Sequence, residues 1–309
     1  VLEEARRLGY VPDAAARRLK SHPLWRIGLL FSPFRGPNRE INPAALATID
    51  ALRQNTERRR LAFSVIDFTD NAELETRCAE HEVDAVVTYG HFETSTFDLL
   101  ARRSMPTVSL QGPSIDASGH RVAVRVDTRA AAYQATQYLA ALGHREVGLV
   151  AGPDTELHHR GFHEGFAAAV AEFGLHAPEA WRLSLPPDKI NADGSAHALR
   201  PLLAGGQRPS AMLFASDWLA AGGLRAALDA GLTVPDDLSL VGFDNLPMAA
   251  GLKPALTTFD VHLDLLADSV LEAVTGLLAS PGTTPDETTG IRRVCADMVK
   301  RDSCALARR

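Results

Sequence analysis

Short apolar runs alternate along the chain with stretches of helical periodicity. "RIGLLFS" (26–32) is a compact buried-type run, followed after a loop by a helical stretch over 43–57. The alternation continues with a strand at 61–68, a helix at 71–81, the strand "DAVVTYG" (84–90), a helix at 95–103, "PTVSLQG" (106–112) and "RVAVRVD" (121–127). A helix over 128–142 ends at Gly143, and "GHREVGLVAGP" supplies a cap, a turn and another strand. Helix 161–173, strand 181–185, helix 193–204, strand "SAMLFAS" (210–216), helix 217–230 and the buried run within 231–245 complete the series. Runs rich in β-branched residues and leucine between amphipathic helices predict parallel sheets covered on both faces. Two such units, divided near residue 128, predict an α/β chain of two lobes.

In open parallel sheets ligands sit beyond the carboxyl ends of the strands. The positions that follow predicted strands are Ser32, Gln111, the loop 153–160, Ser216 to Trp218, and Asp244. If the two sheets face one another, these residues converge on one cleft.

Composition narrows the class without changing this outline. At 309 residues, 46% hydrophobic and 23% charged, the chain can bury two cores of ordinary size. No apolar run approaches the roughly 18 residues of a membrane span. The first residues lack an apolar core followed by a small-residue cleavage site, so no secretory signal is read there. Three cysteines without C-x-x-C spacing fit a reducing cytoplasm. The net charge is −6, yet residues 1–20 carry +2 and leave −8 for the remainder. A local basic segment in an acidic chain suggests a local polyanion contact.

Signals for catalysis are sparse. There is no G-x-G-x-x-G, no phosphate loop and no G-x-S-x-G elbow, so neither an enzyme nor a cofactor is expected. "LHHRGFH" sets His159 and His163 one helical turn apart, a spacing that can hold zinc, but no further ligand completes it and no metal is expected. Ser216 and Asp217 imitate a nucleophile and an acid without a base, and Asp217 reads better as a helix N-cap. Trp218 has two readings, a core filler or a ring for stacking on a sugar face. Asp244 in "GFDN" is either a turn former or a carboxylate placed to accept paired hydroxyls, and the second is preferred. In "PDAAARRLKS", Leu19 stands among Arg17, Arg18 and Lys20 on a helix too short to persist alone. That pattern suits a solvated linker or an apolar wedge at a minor-groove step with basic neighbours on phosphates.

"VLEEARRLGYVPDAAARRLKS" resembles the end of the DNA-binding headpiece and the hinge helix of the LacI–GalR family of bacterial regulators. The resemblance continues through "YLAALGHREVGLVAGP", "GFAAAVAEFGL", "MLFASDWLAAGGLRAALDAGLTVPDDLSLVGFDN", "PALTTFD" and "MVKRDS", in family order. It implies a two-lobed, type I periplasmic-binding-protein-like body that forms a homodimer and binds a small effector. By that resemblance residues 1–22 are the end of the headpiece and the hinge, with the helix-turn-helix upstream of Val1. One lobe is 23–128 plus about 261–288, the other 129–260 plus about 289–309. The implied effector contacts are Ser32, Gln111, Ser216 in place of a common asparagine, and Asp244, with Trp218 beside them. The family's usual arginine three residues before Gly-Phe is Phe162 here, which leaves Arg160 as the substitute to test.

The resulting expectation is a cytoplasmic, homodimeric transcriptional regulator, with operator DNA and a small polar metabolite, a carbohydrate by preference, as partners and no membrane contact. Two rivals remain at this point: a solute-binding transport component with the same body, and an α/β enzyme.

Overall fold

The computed structural model describes residues 25–31, 42–90, 92–112, 121–279 and 290–308. Ser32 and the four hinge positions Arg17, Arg18, Leu19 and Lys20 lie outside the described residues. The larger lobe holds β1 (Arg26–Phe31), α1 (Pro43–Arg58), β2 (Ala62–Ile66), α2 (Asn71–Glu80), β3 (Ala85–Tyr89), α3 (Thr94–Arg102), β4 (Thr107–Leu110) and β5 (Arg121–Val126). The smaller lobe follows with α4 (Thr128–Ala141), β6 (Val147–Ala151), α5 (Leu157–Glu172), β7 (Arg182–Ser184), α6 (Ala192–Leu203), β8 (Ala211–Phe214), α7 (Asp217–Asp229), β9 (Ser239–Val241) and α8 (Pro247–Gly251). After β10 (Thr258–Asp260) come α9 (Leu263–Ala279), β11 (Ile291–Val294) and β12 (Asp297–Val299).

The larger sheet is parallel in the order β2-β1-β3-β4-β5-β11, and the smaller in the order β7-β6-β8-β9. Both therefore reverse direction of winding once, between β1 and β3 and between β6 and β8. Those are the points at which a doubly wound sheet opens a crevice.

Alternation along the strands builds the layers. On the larger sheet Leu30, Ile66 and Val86 pack with Leu74, Leu99 and Leu100 of α2 and α3. The opposite side chains, Ile27, Leu29, Val87 and Val108, join a core that includes Leu52 of α1 and Val270 of α9. Helix starts are fixed locally: Asn42, Asp70, Asp127, Asn191 and Ser216 each accept a backbone N–H with the side chain. In the smaller lobe α5 lies so close to α4 that a Cβ at Gly165 would collide with the Arg129 carbonyl. Glycine is what permits that approach.

The chain crosses between lobes after β5, after β10 and after β11. The last crossing differs from the expectation of about 289, because β11 pairs with β5 as the edge of the larger sheet. "IRRV" is half exposed and charged, so its sheet is chosen by pairing and not by any apolar pattern of its own. Helix α5 also begins at Leu157, four residues before the predicted start. Its first buried residue is His159, which reads as polar in a periodicity count but packs as core.

Candidate functional site

A cavity of about 1390 Å³ opens between the carboxyl ends of the two sheets and is lined from both lobes. It lies at the two switch points. From the larger sheet come Phe31 at the end of β1 and Tyr89 at the end of β3, with ring centroids 5.9 Å apart and nearly stacked. From the smaller come the segment after β6 (Thr155 to His159) and the segment after β8 (Ala215, Ser216, Trp218). Asp244 and Phe243 follow β9.

Four of the residues expected from the sequence meet here: Gln111, Ser216, Trp218 and Asp244. Gln111 has φ +58, and its Oε1 accepts from Val126 N at 3.1 Å, which leaves the amide nitrogen as its outward polar group among the described contacts. Trp218 is half-buried and on the cavity wall, so its ring belongs to the cleft and not to the core. Ser216 has a second duty: its Oγ accepts from Leu219 N at 3.1 Å and caps α7.

That cap corrects the assignment made to Asp217, which is the first residue of the helix and fully buried. Its Oδ2 accepts from Leu246 N at 2.8 Å and its Oδ1 from the Thr258 hydroxyl at 2.5 Å, while its own N–H donates to Phe243 O at 2.6 Å. Asp217 thus ties down both ends of the turn that carries Asp244 and Asn245, at φ +106 and +51: its carboxylate holds Leu246 and its backbone N–H holds Phe243. Non-glycine residues in that region cost of order 1–3 kcal/mol and persist only where the surroundings over-determine them. Burial pushes the Asp217 carboxyl up to about 6 in spite of those donors.

Asp244 is half-buried, and no described side chain bonds to its carboxylate. Burial, with repulsion from Asp217 added, raises it well above the ordinary carboxylate range. Tyr89 feels the same charge: burial and then Asp244 push its phenol up to about 12.

Arg160 does not join the site. It is exposed, it is absent from the cavity wall, and its Nε donates to Asp154 O at 2.8 Å. Phe162, in the place expected of an arginine, is 1% exposed and packs edge-on to Phe243 at 5.1 Å. The helix face that would carry a guanidinium is committed to the core.

The loop 153–160 was legible as a strand end, but not which of its residues matter. Glu156 precedes α5 without capping it by a side-chain bond, and burial pushes its carboxyl up to about 7. His158 donates through Nε2 to the Ala215 carbonyl, 3.2 Å away. His159 is buried, its Nε2 is 3.9 Å from Glu156, and its Nδ1 has no partner. Burial lowers both imidazoles, so both are neutral. His163 is turned to Gly152 O at 2.9 Å, and no group of three or more His, Cys, Asp or Glu suited to a metal occurs among the described residues.

Comparison with known proteins agrees with this architecture. Residues 136–304, more than half of the chain, match the periplasmic binding protein-like domain. The chain is 27% identical to the HTH-type transcriptional repressor PurR of Pasteurella multocida, over 84% of this chain and 76% of that protein. It is 28% identical to catabolite control protein A of Priestia megaterium, over 84% of this chain and 76% of that protein. The chain belongs to the LacI–GalR family. A complex of the transcriptional regulator CelR with cellobiose shares the fold of this LacI–GalR chain, with a TM-score of 0.78 at 20% identity over 98% of this chain and 89% of that one. No helix among the described residues is long and apolar enough to cross a membrane.

Proposed function

We propose that this LacI–GalR protein is an effector-responsive transcriptional regulator whose effector is a small polyhydroxylated metabolite held between the lobes. The observation that carries the reading is Asp244: a carboxylate without a side-chain partner, fixed by Asp217 at a strand end, inside a cavity lined from both lobes. A carboxylate accepts hydroxyl hydrogen bonds in pairs, and each charge-assisted bond contributes about 1.5–3 kcal/mol. Trp218 and the Tyr89–Phe31 pair supply apolar ring surface of the kind that packs on the C–H face of a sugar. Binding of cellobiose by CelR, a fold relative, supports a carbohydrate effector, and the naming of PurR and catabolite control protein A as regulators supports DNA as the output.

A ligand touching both walls favours one lobe angle over others by its differential affinity for them. In a homodimer that angle sets how far apart the two N-terminal segments lie, and Arg17, Arg18, Leu19 and Lys20, outside the described residues, are the sequence's candidates for phosphate and base-step contact. The test is a thermal-shift survey of mono- and disaccharides followed by calorimetry on wild type and Asp244→Asn. Affinity for whichever sugar raises the melting temperature should fall about tenfold or more in the variant. Equal affinities, or a ligand bound outside the cavity, would remove the site.

A further inference from the structure

The charged groups of the cavity divide sharply into paired and unpaired. Among the described residues its three lysine and arginine side chains are each held by a carboxylate: Arg225 Nη2 by Asp193 at 2.8 Å, Arg200 Nη2 by Asp229 at 3.3 Å and Lys189 Nζ by Asp188 at 3.4 Å. All six side chains are largely exposed, and four of them lie on α6 and α7. Glu156 and Asp244 are the two lining carboxylates left over, with no lysine or arginine within 4 Å among the described residues.

Their surroundings are unsuited to another anion. Asp244 stands on the turn that Asp217 anchors and is repelled by that carboxylate, Tyr89 lines the same cavity, and Glu156 faces a neutral imidazole at 3.9 Å. Phe162 brings no positive charge to this wall. The rings of Phe31, Tyr89, Trp218 and Phe243 line the same space, and an aromatic face attracts a cation through its quadrupole. A half-buried carboxylate without a counter-charge either holds a proton or is stabilised as the anion by a cation that the ligand supplies.

We propose that the effector carries a protonated amine beside its hydroxyls, docked on Asp244 with the Tyr89 ring alongside, which makes its class an amino sugar or a similar cationic polyol. This rests on the polyol reading of the cavity and adds the charge. A phosphate or carboxylate in the same place would face Asp244, Asp217 and Glu156 with every described lining cation already paired.

The experiment uses matched probe sets titrated calorimetrically into the chain: glucosamine, glucose, N-acetylglucosamine and glucose 6-phosphate, with the galactose and mannose counterparts. In the sets that bind, the free amine should exceed its hydroxyl and N-acetyl counterparts by at least tenfold, about 1.4 kcal/mol. The phosphate should be weakest. The preference should shrink to about twofold in Asp244→Asn, and equally in Asp244→Ser, which serves if the first variant does not fold. A neutral or phosphorylated sugar that binds as tightly as its amine overturns the charge assignment and leaves the polyol reading intact. An amine preference retained in a folded variant without the Asp244 carboxylate overturns the docking on Asp244. Binding of no probe in any set removes both the amine and the polyol.

Discussion

The two walls of the cavity are built alike and charged differently. Each is the switch point of a parallel sheet, and each presents a non-glycine residue at positive φ, Gln111 on one side and Asp244 on the other. Yet the described lining from the larger lobe is neutral: Phe31, Asn42, Thr48, Tyr89, Phe92 and Gln111. The carboxylates, imidazoles, lysine and arginines all come from the smaller lobe. Shared topology accounts for the location of the cavity, and the loops after β6 and β9 account for its chemistry. Discrimination by charge is accordingly a property of one lobe, while the other offers ring surface and amide hydrogen bonds that any closed ligand would meet.

The largest expected effect tests the backing of the charged wall. Phe162→Ala removes a fully buried ring packed on Phe243 and His158, and should cost about 3–5 kcal/mol, read as an early unfolding transition in urea. A loss below about 1 kcal/mol would show that this wall does not depend on the core beneath it, and the contrast between the lobes would weaken.

Next in size is the pH response of Glu156. Its folded carboxyl titrates at about 7, above its ordinary 4.5, so between those values the folded chain holds a proton that the unfolded chain has released. Its contribution to stability is therefore greatest below pH 4.5, falls as pH rises to 7 and is flat above. Glu156→Gln lacks this loss. Relative to wild type it should gain about 1–3 kcal/mol between pH 4.5 and 7.5, followed by melting temperature against pH. No relative gain would mean that water reaches the carboxyl freely, as it does on an open wall.

Ser216→Ala should cost about 1 kcal/mol through loss of the α7 cap, with a lower melting temperature even when no ligand is present. A variant that melts like wild type but binds effector less well would make Ser216 a ligand contact alone. Smallest of all is Arg160→Ala. With the side chain exposed and bonded only to the Asp154 carbonyl, stability should change by no more than about 0.5 kcal/mol and effector affinity by less than about twofold. A larger change in affinity would bring a cation to the charged wall and remove the contrast on which the amine assignment depends.

Residues of the neutral wall were the harder ones to foresee. Tyr89 and Phe31 end strands as Gln111 does, but aromatic residues at such positions fit a buried strand equally well, so their facing the cavity was not marked. His159 and Glu156 sat in a loop already singled out, and what set them apart is desolvation, which depends on neighbours far away in the chain.

By itself the sequence determined the element series as far as about residue 245, the division into two α/β lobes and the strand ends that line the cavity. These follow from local periodicity and from the backbone's need to pair in parallel sheets, and both are written in short windows. The LacI–GalR resemblance was equally legible, since it rests on residue order. Tertiary structure alone decided which lobe owns β11, because an edge strand such as "IRRV" has no apolar face to commit it. It also decided that Ser216 and not Asp217 caps α7, that Asp217 instead anchors the turn of Asp244, and that Phe162 is core while Arg160 is surface. Each of these depends on the direction of one side chain against partners that can be far off in the chain, 41 residues for Asp217 and Thr258 and 81 for Phe162 and Phe243. Charge balance in the cavity is of the same kind: a pairing is a distance in space, and no local pattern records it.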